Sequence, residues 1–393
     1  MTNFIYISPN FPANHWNFSN KLKENGINTL GIGDAPYDEL TYELRSSLNE
    51  YYRVSSLENY DEVFRAVAFF SYKYGKIDYL ESNNEYWLER DAALRTDFNI
   101  TTGFHSEDMD VVKYKSRMKE NYTKAGIPVA RYHIVDDYEG CMKFVEEVGF
   151  PVVVKPDNGV GANDTHKVKN EEDLKHFFET KYDVTYIMEE YIYGEVETYD
   201  AIINSKGEAL LENGNVTIAN LMETVSENKN SCFFERSKLP EDLLDAGRRA
   251  VKAFGVKSRF VHMEFFRLDR DQHIGKKGDI VALEVNMRPP GGIAPTMMNY
   301  ASGTDVYEIW ADMIAFDHTD RGKSRDGACC FASRRDGLTF TLTPEQIREK
   351  YGDHLKEEGR VEEALSGAMA NYMFIGLFDT EKEAREFAAT VLG

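Results

Sequence analysis

Two stretches, SRFVHMEFFRL (258–268) and IVALEVNMR (280–288), set carboxylates in alternation with apolar side chains. In a strand, residues i, i+2 and i+4 share one face. Glu284, Asn286 and Arg288 are spaced that way, so Leu283, Val285 and Met287 are expected to face a core. His262 and Glu264 are likewise two apart on the preceding strand. The intervening DRDQHIGKKGD predicts a hairpin turning near Gln272–Gly275, with Glu264 opposite residue 283 or 284. Two carboxylates and an amide oxygen then meet on one sheet face. Like charges in that apposition are unfavourable without a cation, and a solvated sheet face would more often mix Lys, Thr and Ser. Oxygen-only ligands suit a hard divalent ion, Mg²⁺ or Mn²⁺. Arg288 suits a bidentate grip on a phosphoryl or carboxylate oxygen.

The rest of the chain predicts an α/β and α+β multidomain protein. Its 393 residues correspond to two to four domains. FIYISP, INTLGIG and IDYLES alternate with helical stretches, which implies an N-terminal parallel sheet. Ligands gather outside the carboxyl ends of such strands, where Ser82, Asn83, Asn84 and Glu85 form either a substrate-facing loop or a helix start capped by Asn84. Gly31 and Gly33 do not make a dinucleotide fingerprint, because the third glycine and the following helix are missing. Helices are expected near 110–125, 137–148, 171–180, 240–254 and 303–316, and a hairpin turning at Ser205–Gly207. Residues 318–393 predict a small C-terminal α+β domain.

A net charge of −21 disfavours nucleic acid as a partner. No stretch reaches the ~18 apolar residues of a membrane span. The start, MTNFIYISPNF, reads as a first strand rather than a signal peptide, so a cytoplasmic location is expected. Cys329 and Cys330 lie in an apolar run and predict a buried strand, not a metal site or disulfide.

Two weaker signals lie between these regions. Lys155 ends an apolar strand and is followed by Asp157-Asn158-Gly159-Val160-Gly161-Ala162-Asn163, small residues whose N–H groups can approach a phosphate. The run TYIMEEYIYGE (185–195) can read an adenine edge through backbone groups of Glu189, Glu190, Tyr191 and Ile192.

In this order the pieces resemble the ATP-grasp superfamily, in particular its carboxylate–amine ligases and relatives of the carbamoyl-phosphate synthase large subunit. The similarity covers roughly residues 1–310 and implies a pre-ATP-grasp domain over 1–110, an ATP-grasp domain over 111–317 with a mobile lid at about 129–190, and the C-terminal domain beyond. The resemblance of KYKSRMKENYTKAGIPVARY to the helix with an ATP-contacting lysine implies Lys115, with Lys113 as the alternative. It implies Lys155, Gly159 and Gly161 for the phosphates and Glu189, Glu190 and Ile192 for adenine. Glu197, in preference to Glu195, is implied for ribose. Glu264, Glu284 and Asn286 are implied as metal ligands, with Arg288 on the reacting phosphoryl group and His262 at the substrate or in a structural hydrogen bond. The implied cofactors are ATP and Mg²⁺ (or Mn²⁺). The implied chemistry is activation of a small-molecule carboxylate as an acyl phosphate and its capture by an amine. A carboxylase or kinase using bicarbonate or another acceptor is the alternative, and a non-catalytic nucleotide-binding regulator a third. Substrate groups are expected from the 80–85 loop, the region 220–238 and the C-terminal domain, with Arg236 and Arg267 as carboxylate partners or surface ion pairs. A homodimer is the base-rate expectation for assembly.

Overall fold

A computed structural model describes residues 1–159, 164–218, 224 and 228–393. The first sheet contains β1 (Asn3–Ile7), β2 (Asn28–Gly33), β3 (Glu50–Arg53) and β4 (Tyr79–Glu81), all parallel, in the order β3-β2-β1-β4. The central strands β1 and β2 are buried on both faces, which explains their largely apolar sequence.

A second four-stranded sheet contains β5 (Tyr132–Ile134), β6 (Val152–Pro156), β7 (His166–Val168) and β8 (Tyr186–Glu190), in the order β5-β8-β6-β7. It has its own core, where the helices Tyr138–Val148 and Glu171–Thr180 pack Phe144 and Phe177 over Val154 and Met188.

The third sheet has eight strands: β9 (Gly194–Ile203), β10 (Ala209–Thr217), β11 (Ser231–Arg236), β12 (Arg259–Leu268), β13 (Ile280–Asn286), β14 (Ala328–Arg334), β15 (Leu355–Arg360) and β16 (Tyr372–Phe378). Its order is β13-β12-β9-β10-β11-β14-β16-β15, so the C-terminal strands extend the sheet that carries the acidic hairpin. Cys329 and Cys330 are buried free thiols in β14.

The hairpin register agrees with the alternation argument. Glu264 lies opposite Glu284, His262 opposite Asn286, and Gln272 bridges Gly275 at the turn. One side chain departs from it. A β-bulge between Glu264 and Phe265 leaves Leu283 unpaired, so Ala282, not Leu283, joins Val285 and Met287 in the core. An extra residue in one strand breaks the period of two, and sequence alternation does not mark it. The core face of β9, β12 and β13 is covered by the amphipathic helix Glu241–Ala253, which packs on Tyr199, Met263 and Phe265.

The helix expected over 110–125 is interrupted. Tyr114 has φ −88° and ψ 121°, splitting it into Met109–Lys113 and Lys115–Lys124. Lys115 N–H donates to the Asp157 carbonyl instead of to a helical partner, a tertiary contact with no Pro or Gly to announce it. A helix at Ala294–Ser302, missing from the expected set, packs Met297 and Ala301 onto Cys329 and Phe331.

Candidate active site

The register fixes which side chains share the polar face of the large sheet. Thr198 and Asp200 of β9 lie opposite Glu264 and His262 of β12, which lie opposite Glu284 and Asn286 of β13. Six polar residues on three adjacent strands therefore face one way, while Tyr199, Met263 and Val285 pack the other side.

The helix Lys115–Lys124 packs Met118 and Tyr122 into the core on that other side and reaches the polar residues with Lys115. Lys115 Nζ donates to the Gly159 carbonyl at 2.8 Å and lies 3.7 Å from Glu284 Oε2. Lys113, the alternative, is turned away onto Glu85, donating to its carbonyl and its carboxylate at 2.9 Å each. The loop after Lys155 is stapled to the start of this helix, because Asp157 accepts from both the Ser116 N–H and its hydroxyl. Gly161 lies outside the described residues, as do 219–223 and 225–227 of the segment expected to touch substrate.

Lys155 and Glu189 form the buried centre of the neighbouring sheet. Glu189 is ion-paired with Lys155 at 2.8 Å and with Lys119 at 2.6 Å. Burial opposes its charge, but Lys119 and Lys155 hold the carboxyl down to about 2. Burial likewise opposes the Lys155 charge, and Glu189, Glu284 and Glu264 together raise its pKa above the ordinary value. The Glu189 side chain thus orients two lysines, which corrects its expected place beside an adenine amino group. Lys119 was not singled out from sequence, although it stands one turn after Lys115 on the same helix face.

Glu190 is likewise committed. Its carboxylate is gripped by the Arg131 guanidinium at 2.7 and 3.0 Å, and its N–H donates to the Arg131 carbonyl. Only its carbonyl is left for an adenine edge. Ile192 lines an apolar cluster with Ala130, Leu268 and Val281, flanked by Phe266, apolar side chains of the kind that can pack on a nucleobase.

Glu197 is displaced from its expected role. It lies opposite Phe265, and Glu195 opposite Arg267, so both occupy the sheet face turned away from Glu264. Arg236 donates to Glu197 at 2.6 Å and Arg267 donates to it at 2.6 and 3.1 Å, while Arg385 holds Glu195. Neither glutamate reaches the polar face, and Arg236, expected at a substrate or on the surface, is a buried member of this ion-pair network. β9 begins at Gly194, so strand alternation already governs Glu195 and Glu197.

His262 is fully engaged, with Nδ1 on Asp200 at 2.5 Å and Nε2 3.2 Å from Glu264 Oε1. That supports its structural reading over substrate contact. Burial disfavours the imidazolium, but Asp200 and Glu264 raise its pKa to about 10. Because the folded value lies above the unfolded one of about 6.5, the stabilisation is complete below that pH and is lost as pH rises through about 10. The stability difference between wild type and His262→Gln, measured by denaturant titration, is therefore expected to be flat below pH 6.5 and to narrow towards pH 10.

Arg288 completes the face, donating to Asn286 Oδ1 at 3.2 Å and to the Pro289 carbonyl at 2.8 Å. Its charge reaches two partners. It helps keep the buried Glu264 carboxyl below the usual range, after His262, and it adds to burial in holding His15 down to about 3. His15 accepts or donates with Tyr6 Oη, which in turn accepts from Asn83 at 3.3 Å. The carboxyl ends of β1 and β4 thus border the Arg288 end of the cleft. Asn83 adopts a left-handed φ of 53°, and Asn84 accepts from the Tyr86 N–H in a local turn, while the next helix starts only at Leu88.

A divalent ion fits the donor set. Glu264 and Glu284 face each other across the hairpin, with His262 Nε2 3.2 Å from Glu264 and Lys115 Nζ 3.7 Å from Glu284, and Asn286 follows two residues on along the same face; two carboxylates and an amide oxygen are the donor chemistry of a hard divalent ion.

Residues 120–290 match the family model of the ATP-grasp domain. This chain carries an ATP-grasp domain. The cofactors that go with such domains are ATP and Mg²⁺. Among curated relatives, it is 28% identical over 148 residues to the C-terminal section of the carbamoyl phosphate synthase large chain of Methanopyrus kandleri, covering 35% of this chain and 26% of the relative. It is 25% identical over 218 residues to the D-alanine–D-alanine ligase of Pseudomonas entomophila, covering 53% of this chain and 65% of that one. It is 24% identical over 245 residues to an L-arginine-specific L-amino acid ligase of Bacillus subtilis, covering 60% and 57% respectively. The matched segments therefore span about a quarter of the first relative and less than two thirds of the others. Among solved structures, phosphoribosylglycinamide synthetase from Anaerococcus prevotii superposes with a TM-score of 0.66 at 16% identity over 99% of this chain and 97% of that one. An L-amino acid ligase from Bacillus licheniformis gives 0.69 at 14% identity over 100% and 98%. At such identities these structures show a shared fold along the whole chain and nothing of its activity.

Proposed function

We propose that this protein is an ATP-dependent ligase that joins a small carboxylate to an amine, releasing ADP and phosphate. The observation that carries this reading is the convergence of Glu264, Glu284 and Asn286 with Lys115, Lys155 and Arg288 on one cleft. Glu264, Glu284 and Asn286 would hold Mg²⁺ (or Mn²⁺), which supplies charge neutralisation at the phosphates. Lys155 and Lys115 hold phosphate oxygens, and Lys119 and Glu189 set the Lys155 ammonium in place. The Glu190 carbonyl and Ile192 receive adenine.

The substrate carboxylate oxygen forms a bond to the γ-phosphorus, the bond to the β-phosphate oxygen breaks, and ADP leaves. The amine nitrogen then bonds to the acyl carbon, the C–O bond to phosphate breaks, and the nitrogen gives up a proton. Arg288 stabilises the transferring phosphoryl group, since positioning and electrostatics carry most of this catalysis. The separate sheet of β5–β8 is the part suited to close over ATP and exclude water from the acyl phosphate. In domain terms this assigns 1–110 and 318–393 as flanking parts and 111–317 as the catalytic unit.

The test is ADP release across pairs of small carboxylates and amines. ADP formation that requires both partners supports the ligase. ADP formation with bicarbonate and no amine would replace it with a carboxylase.

A further inference from the structure

The polar sheet face does not stop at β9. Asn213 and Asn215 of β10 continue it, Asn213 opposite Asp200, and Glu235 of β11 lies opposite Asn215. Glu235 is fully buried, and among the described residues neither carboxyl oxygen has a partner at full hydrogen-bond geometry, the Asn215 side chain being close enough only to lower its pKa. Asn213 Oδ1 and Asn215 Oδ1 are also buried without a donor. Asn213 Nδ2 is fixed on Ser302 Oγ at 2.7 Å. Asp200, the nearest other carboxylate, is spent on His262 and Thr198.

Native interiors leave few polar atoms orphaned, and four acceptor oxygens together call for N–H donors. An ammonium offers three such donors and a guanidinium five, with the charge that a lone carboxylate needs. Burial and then the Asp200 charge push the Glu235 carboxyl well above the usual range, against the weaker opposing pull of His262, Asn215 and Arg236. Asn215, at 8% exposure, is the least buried of the three.

We propose that Glu235, Asn213 and Asn215 form an inner subsite of the same cleft that takes a cationic N–H group of the substrate, an ammonium or a guanidinium. Three strand spacings separate Glu235 from Glu264, roughly 14 Å. That reach matches a substrate whose cation lies several bonds from its reacting group, such as a basic amino acid. The assignment of this cation to a substrate rests on the ligase reading above.

The experiment is calorimetric titration of L-arginine, L-lysine and L-norleucine into the full chain loaded with Mg²⁺ and a non-hydrolysable ATP analogue, for wild type and Glu235→Gln. A charged hydrogen bond of this kind corresponds to about ten-fold or more in affinity. Wild type is expected to bind arginine or lysine at least about ten-fold tighter than norleucine, with Glu235→Gln erasing that preference while nucleotide affinity and melting temperature stay at or above wild type. Equal affinities in wild type, or a preference that survives Glu235→Gln, would overturn the subsite. ADP release measured on the same proteins separates the two proposals. Selective binding without turnover would sink the ligase reading alone, and turnover of neutral substrates without cation preference would sink the subsite alone.

Discussion

Lys155→Ala is expected to weaken ATP binding by about 100-fold, the loss typical of one buried charge-assisted contact to a phosphate. Lys155 is buried, paired with Glu189 at 2.8 Å, and raised in pKa by Glu189, Glu284 and Glu264. It therefore enters the site fully charged and oriented. Removing it also leaves Glu189 with Lys119 as its one remaining cation, and breaking a buried pair costs about 3–5 kcal/mol of stability. The double variant Lys155→Met with Glu189→Gln separates these effects. It is expected to recover most of the melting temperature and none of the nucleotide affinity. Recovery of affinity together with stability would show that Lys155 acts only in the core of the β5–β8 sheet.

Glu284→Gln is expected to lower Mg²⁺-dependent ADP release by about 10³-fold, the scale of a lost electrostatic contact to the reacting phosphates. The change keeps the side-chain volume. The elements that hold the strand remain: Val285 and Met287 in the core, and the Tyr122 hydroxyl on the Glu284 carbonyl at 2.9 Å. The melting temperature is thus expected to hold or rise, because one of two facing carboxylates is gone. Full activity in a folded Glu284→Gln protein would remove this residue from the metal set.

The hairpin was legible in sequence because period-two alternation and a polar turn fix register when one face is buried. Glu264 against Glu284 followed from that, as did the two faces of β12. The Leu283 bulge did not, since a bulge leaves no mark on residue type. Nor did the fate of Glu189, His262 and Glu197. Each is a carboxylate or imidazole with buried charged partners contributed by other elements, and such partners are non-local. The face that Glu197 takes follows from β9 starting at Gly194, a start that its residue types do not mark. Lys119 was legible in principle from its spacing to Lys115. Glu235 was not, because its place beside the active face depends on β10 and β11 pairing into the sheet. The same holds for β14–β16, which sequence separated as a domain and pairing joins to the large sheet.

The Glu264, Glu284 and Asn286 face is expected to bind ATP through a divalent cation. Titrating a non-hydrolysable ATP analogue into the protein with Mg²⁺, and again with EDTA, tests it most directly. Affinity is expected to fall by at least about ten-fold in EDTA, the drop set by losing one charge-neutralising contact, with no such metal dependence in Glu284→Gln. Equal affinity with and without the metal in wild type would contradict it.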